Sequence, residues 1–160
     1  MSYCQVDQTT KDLVEQIIKK EFRYLETASI EILFDSKKRK SGGQYVLASL
    51  KKPDELNRFF TSKIANNGQG YDYILFLDEN VMDVTDYADQ ERLIRHALLH
   101  ATIDYESDTP YKLRKPDIQI FAEELKINKD DPKWMLRLQV VAESVYNPEK
   151  REDIKPSFMV

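Results

Sequence analysis

The chain has 160 residues, a net charge of −4 and an apolar fraction of 41%. This size and composition suit one globular domain with a buried core, and they exclude a disordered protein. The mildly acidic charge argues against nucleic acid as a partner, and no apolar run approaches the roughly 20 residues that cross a bilayer. A single cysteine, Cys4, excludes an internal disulfide and a zinc site built from cysteines. With no signal-peptide pattern at the start, these features predict a cytoplasmic protein.

The first third of the chain has one helical and two extended patterns. An amphipathic helix is predicted up to Leu25, because apolar residues recur at helical intervals. Residues 29–34 and 44–50 are typical of strands, and the Gly42-Gly43 turn predicts that they form a β-hairpin. The basic cluster at residues 37–40 is more typical of a solvated hairpin tip than of a phosphate-binding site.

Two helices flank a strong strand in the middle of the chain. Pro53 suits the first turn of a helix that continues through Ile64. Residues 71–77 are apolar enough to predict a buried central strand. A long helix is then expected from about Tyr87 to Ile103, with Thr85 or Asp86 as its N-cap.

The last third of the chain is predicted to be helical. Pro116 is expected to open one helix, and a final helix with Trp134 and Leu138 in its apolar stripe ends at Pro148. Residues 1–147 are therefore predicted to form a single α+β domain, with a small three-stranded sheet and about five helices. Residues 148–160 are predicted to be a charged C-terminal tail.

The two histidines of the chain lie four residues apart, in the predicted long helix. His96 and His100 should therefore stand on one helix face with Cβ atoms about 5–6 Å apart. That spacing lets two imidazoles bind one Zn²⁺ ion, as in the H-E-x-x-H motif of zinc peptidases. The alternative is one histidine hydrogen-bonded in the core and the other at the surface.

Ala97 occupies the position next to the first histidine, where the H-E-x-x-H motif has its glutamate. That glutamate is the general base of peptide hydrolysis, and a methyl group cannot accept a proton. We therefore expect peptidase activity to be severely reduced or absent. Glu91, Asp104 and Glu106 are the alternative bases, but none of them lies next to His96 in the sequence.

Between Lys40 and Tyr146 the chain resembles the phage metallopeptidases, small single-domain relatives of the zincin peptidases. The resemblance is carried by the order of four segments: residues 43–52, 71–75, 91–100 and 111–121. Residues 128–134 also resemble a subgroup of the family. It implies a phage or prophage origin, a minimal gluzincin-like fold, location in the host cytoplasm, and Zn²⁺ held by the two helix histidines. It also implies a protein or peptide as substrate or partner.

The chain departs from the family pattern at a second position besides Ala97. Many members have a histidine, a plausible third metal ligand, where this chain has Pro116. Because the chain has no third histidine, any further protein ligand must be an oxygen. Asp117 is the nearest candidate, with Glu123 and Glu124 as alternatives, and all three also suit solvated helix charges.

Two functions fit this pattern of retained and lost residues. The first is a zinc-dependent metallopeptidase, inactive as written because Ala97 replaces the general base. The second is a non-catalytic binding protein that keeps the peptidase scaffold and engages a host or phage protein.

Overall fold

We describe residues 1–65, 67–116 and 121–148 of a computed structural model of the chain. The helices are α1 (Gln8–Glu21), α2 (Glu55–Thr61), α3 (Glu79–Met82), α4 (Tyr87–Leu98), α5 (Ala122–Ile127) and α6 (Trp134–Tyr146), with a 3₁₀ turn at Arg23–Leu25. The strands are β1 (Tyr3–Gln5), β2 (Ile30–Asp35), β3 (Lys40–Ser41), β4 (Gln44–Tyr45), β5 (Ala48–Lys51), β6 (Tyr73–Asp78), β7 (Ala101–Ile103) and β8 (Tyr111–Leu113). The predicted α+β class is confirmed. In the described part of the chain, no helix has the length and apolar character needed to span a membrane.

The main sheet has four strands in the order β1-β2-β6-β5. β6 is parallel to β2 and antiparallel to β5, and its side chains Tyr73, Leu75 and Leu77 are fully buried. The prediction of a buried central strand is therefore confirmed. The sheet has one strand more than predicted, because β1 pairs with β2 along its outer edge.

The predicted hairpin between residues 29–34 and 44–50 is wrong. β6 lies between β2 and β5, since the most apolar strand takes the central position where both edges are paired. The Gly42-Gly43 turn closes only the small ladder between β3 and β4. As a result, β5 is an edge strand of the described sheet and is not paired with β2.

Helix α4 begins as predicted and ends earlier than predicted. The Asp86 side chain caps it by accepting a hydrogen bond from the Asp89 backbone N–H at 2.9 Å. The helix ends at Leu98, not at Ile103, because residues 101–103 pair with β8 as the strand β7. His96 therefore lies in the last turn of the helix, and His100 lies in the turn that follows it.

The chain between β8 and α6 also differs from the prediction. Phe121 is extended, so helix α5 begins at Ala122 and not at Pro116. The predicted ligand Asp117 lies outside the described residues, as do residues 149–160 of the predicted tail. Helix α6 ends at Tyr146, close to the predicted stop at Pro148.

A prediction concerns Gly70, in the connection between α2 and β6. Gly70 and Gly68 both have positive φ, but only a Cβ at Gly70 would meet a backbone atom, the Arg58 carbonyl oxygen at 2.1 Å. Gly68→Ala is expected to lower the free energy of unfolding by about 1–2 kcal/mol, the cost of the left-handed conformation. Gly70→Ala should cost about 2 kcal/mol more, since backbone overlap cannot be relieved by a rotamer change. Urea denaturation of both variants tests this, and equal losses would contradict it.

Candidate functional site

His96 is held by a buried carboxylate on the neighbouring helix. Its Nδ1 atom is 2.9 and 3.0 Å from the two carboxylate oxygens of Glu124, the third residue of α5. Glu124 is fully buried and also accepts a hydrogen bond from the Phe121 backbone N–H at 2.9 Å. A carboxylate in this position keeps the proton on Nδ1, so Nε2 is the lone-pair nitrogen of the ring.

His100 is fixed in the same tautomer by the end of helix α4. Its Nδ1 atom is 3.2 Å from the carbonyl oxygen of His96 and 3.3 Å from that of Ala97. A carbonyl only accepts, so Nδ1 must donate and Nε2 again carries the lone pair. Burial lowers the pKa of His100, and the neighbouring His96 lowers it further. The ring is therefore neutral at neutral pH, which is the form that binds metal ions.

The two histidine rings lie close to each other. Their centroids are 5.4 Å apart and their planes are nearly perpendicular, at 87°. Two imidazoles that bind one tetrahedral Zn²⁺ through nitrogen at about 2.0–2.1 Å have centroids about 5 Å apart. The separation of the two rings is thus close to that of two imidazole ligands of one ion.

A third ligand does not join them in the described part of the chain. There, no group of three His, Cys, Asp or Glu residues could hold a metal ion. The alternative ligand Glu124 has both oxygens on Nδ1 of His96, and Glu123 is half-exposed and paired with Arg114 at 3.1 Å. Asp117 lies outside the described residues, so its prediction as a ligand stays a prediction.

Aromatic side chains pack around the histidines. The Phe121 ring lies 4.9 Å from the His100 ring and 5.9 Å from the His96 ring, and the Trp134 ring lies 6.3 Å from His96. The Arg114 guanidinium covers the Phe121 ring at 4.4 Å. This packing restricts the rotamers of both histidines and excludes water from one side of the pair.

A cleft of about 850 Å³ opens beside the histidines. It lies between helices α4 and α6 and the segment that contains β4 and β5. Its lining consists of Ser41, Gln44, Tyr45, Val46, Leu47, Ala48, Ser49, Leu50, Leu93, His96, His100, Pro132, Met135, Leu136 and Gln139. No carboxylate is present among these described residues. One wall is β5, an edge strand of the main sheet.

Ala97 is fully buried and is not among the lining residues of this cleft. It belongs to the hydrophobic core, and around the axis of α4 it lies about 60° from Ile94 on one side and from His100 on the other. Asp104 and Glu106, two of the alternative bases, are exposed residues of the β7–β8 connection and do not line the cleft. The third, Glu91, has its carboxylate 3.9 Å from the Arg95 guanidinium and also lies outside the lining.

Sequence reasoning missed a contact that shapes the cleft. The side-chain amide of Gln139, on α6, accepts from the Tyr45 backbone N–H and donates to the Tyr45 carbonyl, both at 2.8 Å. It therefore pairs with β4 as a neighbouring strand would. No sequence signal marks Gln139, because the contact joins residues 94 positions apart.

The model of the family described as "Putative phage metallopeptidase" matches residues 2–146. The chain belongs to this family. The match confirms the resemblance between residues 40 and 146 and extends it to β1 and α1. No curated protein and no solved structure matches the chain. Membership of a phage metallopeptidase family implies a metal cofactor.

A prediction concerns the buried carboxylate of Glu124. In Glu124→Gln a single side-chain oxygen must serve two N–H donors, those of Phe121 and His96, so one buried donor loses its acceptor. The free energy of unfolding should fall by about 1–3 kcal/mol. The His96 ring should also lose its preference for the Nδ1–H tautomer, as measured by ¹⁵N chemical shifts.

The matched control is Glu123→Gln, on the same helix. Glu123 is half-exposed, and its ion pair with Arg114 is at the surface, so its loss should change stability by less than about 1 kcal/mol. If both variants had the same stability and the same histidine tautomers, Glu124 would have no positioning role.

Proposed function

We propose that this family member binds Zn²⁺ through Nε2 of His96 and His100 and holds an extended peptide segment beside it, without hydrolysing it. One observation carries the proposal. Both Nδ1 atoms are committed to acceptors within the protein, so both Nε2 lone pairs are left for a ligand, beside a cleft without a carboxylate among its described lining residues.

The metal-binding part of the proposal rests on the support given to the histidines. Metal-ligating histidines usually donate their second ring N–H to a carboxylate or carbonyl, and the partners here are Glu124 and the helix-end carbonyls. Asp117 is the proposed third ligand, since it lies four residues before Phe121, whose ring contacts both histidines. When bound, Zn²⁺ would act as a Lewis acid toward a peptide carbonyl.

The peptide-binding part rests on the position of β5 at the edge of the sheet, where no described strand pairs with its outer side. An edge strand presents unpaired backbone N–H and C=O groups, to which an extended peptide can add as a further strand. Apolar side chains of the lining, among them Val46, Leu50 and Met135, would contact alternate side chains of that peptide. The proposed ligand is therefore an extended segment of a host or phage protein, met in the host cytoplasm.

The proposed lack of peptide hydrolysis rests on the residue at position 97, which is alanine. A positioned general base contributes about 10²–10⁴-fold to a hydrolytic rate. Ala97 cannot supply it, and neither Asp104 nor Glu106 lies at the cleft. We therefore expect the chain to bind zinc and a peptide through the histidines and β5, and to lack the general base that hydrolysis requires.

The first test is metal content. The purified protein, loaded with Zn²⁺ and dialysed, should hold about one ion per chain by elemental analysis. His96→Ala and His100→Ala should each lower the affinity by at least about tenfold in a chelator competition, while Glu123→Gln should not. Retention of full zinc affinity in both histidine variants would refute the proposed ligands.

The second test restores a base. Zinc-loaded Ala97→Glu should hydrolyse a mixed peptide library at least about 10²-fold faster than the unaltered chain, as followed by mass spectrometry. Ala97→Gln introduces a side chain of the same size as glutamate that cannot act as a base, so this variant should stay inactive. Because position 97 is fully buried, both variants should also lose stability, and calorimetry must show that they are folded at the assay temperature. Equal hydrolysis by the unaltered chain and Ala97→Glu would contradict the proposal.

A metal-free binding protein is the second candidate, favoured by the lack of a third ligand among the described residues. It predicts that peptide binding survives His96→Ala and His100→Ala and is insensitive to a chelator. The zinc-dependent proposal predicts that binding weakens in both cases. Titration of the same peptides in the presence and absence of zinc separates the two.

A further inference from the structure

Helix α2 has an apolar face that no described residue covers. Leu56, Phe59, Phe60 and Ile64 have 62%, 71%, 68% and 66% of their surface exposed, and no residue of the helix is buried. Their spacing places them on one side of the helix and of the turn that continues it. We call these four residues the α2 patch.

The helix is attached to the domain by its polar side. The Arg58 guanidinium binds the buried Asp72 carboxylate at 3.2 Å, and its backbone packs closely on Gly70. The Thr61 hydroxyl accepts from the Tyr71 backbone N–H at 3.3 Å. An amphipathic surface helix normally turns its apolar side to the core, and α2 does the reverse. Such an orientation leaves most of the α2 patch exposed, which is typical of a contact surface.

We propose that the α2 patch is covered by the same patch of a second copy, in an antiparallel helix pair about a twofold axis near Phe59 and Phe60. The sequence around the patch is complementary to itself. Glu55 and Lys63 are both exposed and lie four residues before and after Phe59. The axis brings Glu55 of one copy to Lys63 of the other at both ends of the pair, as an isologous interface requires.

The apolar side chains obey the same symmetry. Leu56 and Ile64 lie four residues before and after Phe60. When the helices run antiparallel, Leu56 of one copy therefore packs on Ile64 of the other. With the usual areas of these side chains, the four expose roughly 500 Å² per copy. Two copies bury roughly 1,000 Å², which is the lower limit for a specific interface. The dimer should therefore be weak and reversible.

The described end of α6 lies far from the patch. The described chain leaves α6 at the far end of β6, where the Tyr146 hydroxyl donates to Asp78 at 2.6 Å. The patch lies at the near end, where Arg58 binds Asp72, just before β6 begins. The length of the central strand thus separates the patch from Tyr146.

The experiment is sedimentation equilibrium of the full chain from about 1 to 500 µM, since a weak dimer forms by mass action. A monomer–dimer equilibrium is expected. Phe60→Glu should raise the dissociation constant at least tenfold, because it places a carboxylate at the axis. Tyr87→Glu is the matched control, since Tyr87 is a 53% exposed aromatic residue at the start of α4, beyond the end of β6 opposite to the patch, and it should leave the constant unchanged.

Charge reversal tests the antiparallel arrangement itself. Glu55→Lys and Lys63→Glu should each raise the dissociation constant at least threefold, and the double variant should restore it. A monomer at every concentration, or a double variant no better than the single ones, would overturn the proposal. So would a dimer that appears only when residues 149–160 are removed, because the tail would then be the occupant. None of these outcomes depends on zinc or on the cleft.

Discussion

The contact between Glu124 and His96 determines how the site is built. A fully buried carboxylate is costly unless its oxygens accept hydrogen bonds, and here they accept from the His96 ring and from the Phe121 backbone N–H. The contact therefore fixes the ring of His96, the start of α5 and the position of α5 against α4. It also places the Phe121 ring against both histidines. The sequence places Glu124 among several acidic residues of a predicted helix, and only the tertiary structure makes it the partner of His96.

Local sequence signals predicted the parts of the fold that depend on local physics. The apolar run at residues 71–77 is a central strand, because only a strand with both edges paired buries so many apolar side chains. Asp86 caps α4 because a carboxylate there accepts from the first free backbone N–H groups. The four-residue spacing of the histidines gave a pair of rings on one side of the helix end.

Pairings between distant segments could not be predicted in this way. Helical periodicity continues past Leu98, but residues 101–103 gain more by pairing with β8 than by extending the helix. Likewise, the Gly42-Gly43 turn is a genuine hairpin signal, yet it sets only the β3–β4 ladder, since β2 and β5 both pair with β6. In the site, the burial of Ala97 depends on how α4 packs against the core. The comparison with the H-E-x-x-H motif concerns sequence positions alone and carries no information on this packing.

Because α4 ends early, the two histidines belong to different parts of the structure. His96 belongs to a helix, whereas His100 is followed directly by β7, and its carbonyl oxygen accepts from the Arg114 backbone N–H just after β8. The β7–β8 hairpin is in turn linked to β6 by the Tyr73 hydroxyl, which lies within hydrogen-bond distance of the carbonyl oxygens of Thr102 and Lys112. A metal ion bound by both rings would therefore link helix α4 to the β7–β8 hairpin. Part of its binding free energy would appear as resistance of this corner to local unfolding.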